Sequence, residues 1–273
     1  MLELDHKFPF RGDAVAWGKM GDGRPLVLIH GTPFSSQVWR RIAPHLANRF
    51  TVFYFDLLGY GQSTMREGQN VSLAVQNELL MDLLRAWNIL HPTVIAHDFG
   101  GATALRAHYL NNANYTRLIL VDPVALAPWG SPFVQHVRKH EAAFAGLPDY
   151  AHRGLLKAYL AGAAHVPLTT EAEEIYASPW VGALGQPAFY RQIAQMDQKY
   201  TDEIEPHYAP LPFPTTMLWG AQDQWIPLQT GTRLAEKFTN GELTIIQRSG
   251  HLMQEDAPEA IVAAALMERQ KPE

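Results

Sequence analysis

The chain of 273 residues has no cysteine. That absence removes disulfides, thiolate nucleophiles and the common cysteine-zinc sites together. There is no apolar run long enough to cross a bilayer, and Met1 to Lys7 lack the basic end and apolar middle of a signal peptide, so a cytoplasmic protein is expected. Basic clusters are missing as well, and the net charge is only −5. Neither nucleic acid nor a membrane surface is therefore an expected partner. A small, uncharged substrate fits this balance better, with a homodimer left open. What the chain does have is apolar content, 47% of its residues, enough at this length for one large core or one core with an inserted subdomain.

Apolar runs bounded by turn residues recur at Pro25 to His30, Thr51 to Asp56, Pro92 to His97, Arg117 to Asp122, Thr215 to Trp219 and Glu242 to Gln247. Amphipathic segments lie between most of them, notably Val71 to Trp87, Ala102 to Leu110 and Leu228 to Phe238. Strand and helix in alternation predict an α/β fold with a mostly parallel sheet flanked by helices. Asp13 to Met20, ahead of the Gly21-Asp22-Gly23 turn, is expected as an antiparallel edge strand. The alternation stops between about Ala127 and Pro214, where helix-like, aromatic-rich sequence runs longer than an ordinary connection. Proline-rich borders flank that stretch. The expected division is residues 1–126 and 215–273 as the core, with 127–214 as an inserted helical cap.

The motif Ala96-His97-Asp98-Phe99-Gly100-Gly101 sits between a β-branched run and a helix-like one, which is the setting of a nucleophile elbow with Asp at its centre in place of Ser. The substitution selects the chemistry. A carboxylate attacking an acyl carbon makes a reactive anhydride, whereas attack on a saturated carbon makes an ordinary, hydrolysable ester. Alkyl electrophiles such as epoxides or alkyl halides are therefore indicated. The competing account of Asp98 is a plain helix cap. A carboxylate nucleophile needs a base for the second step, and that base needs an orienting acid. His251, in Arg248-Ser249-Gly250-His251-Leu252 after the last expected strand, is the candidate base; Asp223, in Gly220-Ala221-Gln222-Asp223, is the candidate acid, with Asp122 its rival. The order nucleophile, acid, histidine matches this fold. An oxyanion hole is expected from the backbone N–H groups of Phe99 and of Thr32 in His30-Gly31-Thr32-Pro33.

With these residues, and with Asp56-Leu57-Leu58-Gly59-Tyr60-Gly61-Gln62-Ser63 matching a D-x-x-G-x-G-x-S turn, the chain resembles the α/β-hydrolase superfamily along almost its whole length. The Asp-centred elbow is similar to that of the branch containing epoxide hydrolases, haloalkane dehalogenases and fluoroacetate dehalogenases. The resemblance implies Asp98 as nucleophile, His251 as base, Asp223 as its partner, a helical cap and no cofactor. Phe99 and Thr32 stand where many dehalogenases carry halide-binding side chains, and Phe99 where fluoroacetate dehalogenases carry an arginine. Epoxide hydrolases protonate the epoxide oxygen with cap tyrosines, and Phe189-Tyr190-Arg191 is similar to a segment carrying one. Tyr190 is thus the expected cap acid, with Tyr176 or Tyr159 as a second. Trp129, Phe133, Phe144, Tyr150 and Trp180 are candidate pocket residues. A non-catalytic ligand-binding member is the alternative in another class, opposed by the presence of all three of Asp98, Asp223 and His251. A metal site built from His30, His97, Asp98 and His251 is not expected, since no helix-spaced histidine pair is present.

Overall fold

The apolar runs are rich in β-branched and aromatic residues and too short for buried helices, so they pair as strands. The computed structural model describes residues 1–267. Among these, one sheet contains β1 (His6–Phe10), β2 (Asp13–Met20), β3 (Arg24–Ile29), β4 (Phe50–Phe55), β5 (Thr93–His97), β6 (Arg117–Val121), β7 (Thr215–Gly220) and β8 (Thr244–Ile246). Their spatial order is β1-β2-β4-β3-β5-β6-β7-β8. β1, β2 and β4 pair antiparallel and the remaining neighbours pair parallel. In the central strands β5 and β7 every residue is buried, as expected for a parallel sheet covered on both faces. Asp13 to Met20 is a strand as expected but does not form the edge. β1 covers it, with Phe8 opposite Val15; its pattern was missed because a proline interrupts a run of only five residues.

The helices are α1 (Ala43–Leu46), α2 (Leu73–Ala86), α3 (Phe99–Asn111), α4 (Pro132–Ala145), α5 (Asp149–Ala161), α6 (Thr170–Ala177), α7 (Gly182–Ala194), α8 (Lys199–Asp202), α9 (Leu228–Phe238), α10 (Met253–Asp256) and α11 (Pro258–Leu266). None of the described helices is long and apolar enough to cross a membrane. α2 and α3 pack together, joined by Arg106 Nε donating to Asn77 Oδ1 at 2.8 Å. The chain leaves the sheet after β6 and re-enters at its immediate neighbour β7. The intervening helices α4 to α8 contribute no strand. Polar contacts fasten this excursion to the sheet region. Trp180 Nε1 donates to the Pro33 carbonyl at 2.6 Å, and the Gln195 amide donates to Gln69 O and accepts from Val71 N–H, both at 2.8 Å.

Two glycines let the loop after β3 meet the turn after β5. A Cβ on Gly31 would lie 2.4 Å from Asp98 Cβ, and one on Gly100 would lie 2.3 Å from the Ile29 carbonyl oxygen. No side chain fits at either distance. Gly100→Ala must push α3 away from β3, and we expect it to cost about 2–3 kcal/mol. Gly154→Ala on α5, where an added Cβ meets nothing within 4 Å, should instead stabilise by about 0.5–1 kcal/mol through backbone entropy. Thermal unfolding of both variants checks the pair: equal shifts would contradict the close approach.

Candidate active site

Asp98 stands between the end of β5 and the start of α3 with φ 51° and ψ −118°. For a non-glycine residue such a conformation costs about 1–3 kcal/mol and persists only where its surroundings impose it. Here they do so through the backbone. The Asp98 N–H donates to Val121 O at 3.2 Å, and its carbonyl accepts from Ala102 N–H at 3.2 Å and Val124 N–H at 3.1 Å. The side chain makes no capping bond to α3, so the plain helix-cap account of this residue is not what the chain adopts. Instead, Asp98 Oδ1 accepts the Thr32 N–H at 2.7 Å. The loop presenting Thr32 is itself held: His30 donates from Nδ1 to Gly31 O at 2.8 Å and accepts Leu57 N–H at Nε2 at 2.9 Å. Burial keeps this imidazole below its ordinary pKa, hence neutral.

His251 follows β8 and is fully buried. Its Nδ1 donates to Asp223 Oδ2 at 2.8 Å, while Nε2 lies 3.4 Å from Asp98 Oδ2 and makes no hydrogen bond among the described residues. Asp223 is fixed in turn by Trp225 N–H at 2.7 Å and Ile226 N–H at 2.9 Å on its other oxygen. Burial alone would lower the His251 pKa, but the charge of Asp223, its hydrogen bond and Asp98 together raise it well above its ordinary value. Burial alone would raise that of Asp98. Contact with His251 and its charge, then His97 and the Phe99 N–H, outweigh this and hold the carboxyl below its usual range. Both directions come from the same contact: Asp98 and His251 each favour the charged form of the other.

Two further buried groups adjoin this trio. His97 donates from Nε2 to the His251 carbonyl at 2.9 Å; burial and the neighbouring His251 push its pKa down to about 3, so it is a neutral prop. Asp122, at φ 42° after β6, accepts Gly220 N–H on Oδ1 at 2.8 Å and leaves Oδ2 without a hydrogen bond. His251 Nδ1 is bonded to Asp223, not to Asp122. Burial first, and then the charge of Asp223, raise the Asp122 pKa well above the usual carboxylate range.

A cavity of about 50 Å³ opens over Asp98, walled by Thr32, Phe99, Trp129, Tyr159, Met196 and Trp225 among others. Larger surface hollows lie elsewhere, and none of the three residues lines them. Of the candidate pocket aromatics, Trp129 lines the cavity. Phe133 and Phe144 pack on each other, Tyr150 is 80% exposed, and Trp180 is bonded to Pro33.

The cap tyrosines require correction. Tyr190 does not face Asp98; its hydroxyl is 2.9 Å from His152 Nδ1 and its ring packs against Phe144 and Phe189. Helix α7 turns it into the cap's own interior. Tyr176 is also turned away, bonded to Glu255 and to Arg40 Nη1 (2.6 Å for the latter) in a partly buried ionic cluster joining α6 to α10. Tyr159 of α5 is the cap tyrosine that lines the cavity, stacked on Trp225 at 4.8 Å between ring centres. Burial and the negative charge of Asp98 raise its pKa, so its hydroxyl stays protonated. The sequence carried no signal for this choice, since the three tyrosines differ only in which helix face they occupy. Gln192 of α7, which no sequence motif marks, meets the Thr32 hydroxyl at 2.6 Å. As to a metal, no group of three or more His, Asp or Glu residues placed to hold an ion occurs among the described residues.

Fold and site together define a member of a large hydrolase class. The family model of the alpha/beta hydrolase fold matches residues 24–258, and the chain belongs to that family. A crystal structure of an alpha/beta hydrolase fold protein from Burkholderia ambifaria is 57% identical, covers 97% of this chain and 98% of its own, and superposes with a TM-score of 0.96. A 2-hydroxymuconate semialdehyde hydrolase from a Pseudomonas strain is 26% identical over 86% of this chain and 82% of its own. A soluble epoxide hydrolase from a Corynebacterium strain is 33% identical over 54% of this chain and 52% of its own.

The buried Asp122 makes the site's stability depend on pH. Because its folded-state pKa is raised, the stability it contributes is complete below the unfolded value of about 4 and is lost as pH rises through the folded value. At neutral pH it is a cost. Asp122→Asn keeps an acceptor for Gly220 N–H and should raise Tm at pH 7.5 by about 2–4 °C, with the gain shrinking toward pH 4. Thermal scans at both pH values measure this, and an unchanged or lowered Tm at pH 7.5 would sink it.

Proposed function

We propose that this protein is a cofactor-independent hydrolase that opens a small epoxide through a covalent ester on Asp98, with His251 as base and Asp223 as its orienting acid. The observation that carries the proposal is the state of Asp98. It is a buried carboxyl at a strained elbow, its pKa lowered by the His251 it faces, with one oxygen held by Thr32 N–H and the residue lining a cavity that also holds Tyr159, whose pKa is raised. Attack by Asp98 Oδ2 on an epoxide carbon breaks the ring C–O bond, and the released oxygen takes the Tyr159 proton. Esterification removes the negative charge that helps keep His251 protonated. The imidazolium can then give up its proton to restore Tyr159, directly or through water, and becomes the neutral base that the second step needs. Water delivers its proton to His251 Nε2 as its oxygen adds to the ester carbonyl. The resulting oxyanion is stabilised by the N–H groups of Thr32 and Phe99; collapse expels the alkyl oxygen, which takes the His251 proton to give the diol, and the new Asp98 carboxyl returns a proton to His251, restoring the starting ion pair. The name of the Corynebacterium relative accords with this chemistry, and the free space over Asp98 is small.

A haloalkane is a second substrate class, favoured by Trp225, whose indole lines the cavity beside His251. Short haloalkanes assayed alongside styrene-oxide-like and smaller epoxides distinguish the two by turnover.

In a single turnover in heavy-oxygen water, label should enter the Asp98 carboxylate while the product oxygen comes from the enzyme. His251→Gln should let the ester accumulate as added mass on the peptide containing Asp98, because attack by Asp98 does not use that base. Label appearing directly in product, with no adduct on a substrate that is turned over, would falsify the covalent route.

The two tyrosines make a sharper contrast. Tyr159→Phe should slow ring opening by about 10²-fold or more, whereas Tyr190→Phe should change it less than about threefold because it breaks only the bond to His152. Pre-steady-state rates of adduct formation read both, and the reverse ranking would return the acid role to Tyr190.

A further inference from the structure

The loop that carries His251 is fastened by one side chain to which the proposed mechanism gives no role. Asp256, half-buried at the end of α10, accepts three backbone N–H groups at 2.8 Å each, Gly250 and His165 on Oδ2 and Val166 on Oδ1. Gly250 immediately precedes the histidine. His165 and Val166 belong to the connection between α5 and α6, and the Ala163 carbonyl in the same connection takes the Leu252 N–H at 2.8 Å. Both chain neighbours of His251 are thus tied to one short stretch. The approach is tight, since a Cβ on Gly250 would lie 2.8 Å from His165 N and 2.9 Å from Ala163 O. That stretch follows directly on the helix bearing Tyr159, whose ring stacks on Trp225, and Trp225 in turn lies 5.0 Å from the His251 ring between centres. α10 itself is anchored by Glu255, bonded to Arg40 at 2.5 Å and to Tyr176.

An ordinary helix cap does not account for Asp256. It stands at the C-terminal end of α10, where the unsatisfied groups of a helix are carbonyls, and a carboxylate cannot donate to them. Its three donors come instead from two segments outside that helix.

We propose that Asp256 is a positioning residue: it locks the His251 loop to the α5–α6 connection, so that the base and Tyr159, the two groups that exchange a proton in the proposed mechanism, keep a fixed separation. The tasks of those two groups rest on the epoxide reading, whereas the clamp on His251 does not. Asp223 fixes only the far nitrogen of the imidazole, and His97 holds the carbonyl of the same residue. Neither ties the loop to the helix that carries the tyrosine. Without Asp256 the buried Gly250 N–H loses its acceptor, and the loop must shift to find another or leave that donor unpaired.

Two variants test this, read by NMR and by kinetics on the full chain. Asp256→Ala removes all three bonds, whereas Asp256→Asn keeps an acceptor at one oxygen position and sets its NH2 against the donor at the other. Both remove the charge equally, so a difference between them reports the bonds. The imidazole 1H–13C signal of His251, assigned by its loss in His251→Gln, should move in both variants of the ligand-free protein and further in Asp256→Ala. With an epoxide that the wild type turns over, kcat of Asp256→Ala should fall about tenfold or more with KM within about threefold, and the ester on Asp98 should persist, because its hydrolysis needs an aimed base. Asp256→Asn should fall less. A merely structural role would lower Tm and leave the His251 signal in place. Should Asp256→Ala fail to fold, Asp256→Asn, which retains part of the clamp, carries both measurements. A graded movement of the signal when no epoxide is turned over supports the clamp, and the epoxide reading then fails alone. A His251 signal unmoved in the folded variants, or a kcat of Asp256→Ala within about twofold of the wild type, overturns the proposal.

Discussion

The site depends first on a backbone approach: the loop after β3 and the turn after β5 come so close that Thr32 N–H reaches Asp98 Oδ1 at 2.7 Å. The approach exists because Gly31 and Gly100 carry no side chain at the point of contact. Parallel pairing of β3 with β5 sets the two strand ends side by side, so both loops emerge on the same edge of the sheet. From this one constraint follow the strained conformation of Asp98, the orientation of its carboxylate and the position of the proposed oxyanion donors. The strain is compensated by hydrogen bonds to the backbone of Val121, Ala102 and Val124, which tie the turn to β6 and α3 rather than to any ligand.

Electrostatics adds a second layer. Three carboxyl groups and two imidazoles are buried around the ends of β5, β6 and β7, and they do not share one protonation state. The imidazole that Asp98 faces lowers its pKa, burial and the charge of Asp223 raise that of Asp122, and burial with His251 pushes that of His97 down to about 3. Opposed environments for chemically similar groups are how a single pocket assigns different tasks to each. Under the proposed mechanism the charge on His251 is not static, because turning Asp98 into an ester removes one of the two charges that stabilise the imidazolium. The covalent step thereby prepares its own successor.

The helices between β6 and β7 contribute to the site unevenly, divided by helix face. Tyr159 and Met196 reach the cavity; Gln192 reaches Thr32; Tyr190 and Tyr176 are consumed by His152 and by the Arg40 and Glu255 pair. Such polar contacts within the α4–α8 excursion and between it and the sheet region fix these side chains in place. They also mean that the groups most conspicuous in the cap sequence are structural.

Much of the sheet and the order of Asp98, Asp223 and His251 were legible in the sequence, because short β-branched runs, glycine turns and a carboxylate after a strand have local physical causes. Expected strand positions agree with the observed ones to within a few residues, and Asp223, which follows the strand preceding that of the histidine, is the acid bonded to His251 Nδ1. The inner position of Asp13–Met20, the choice of Tyr159 over Tyr190 and the contact of Gln192 with Thr32 were not legible. Each depends on which face of an element meets a partner distant in the chain, and a helix in a cap buried on several sides has no single apolar stripe from which that face can be read. The sequence by itself determined the fold class and the chemical types gathered at the strand ends; tertiary packing alone decided which cap side chains face the carboxylate, because that choice is made by contacts between residues more than a hundred positions apart.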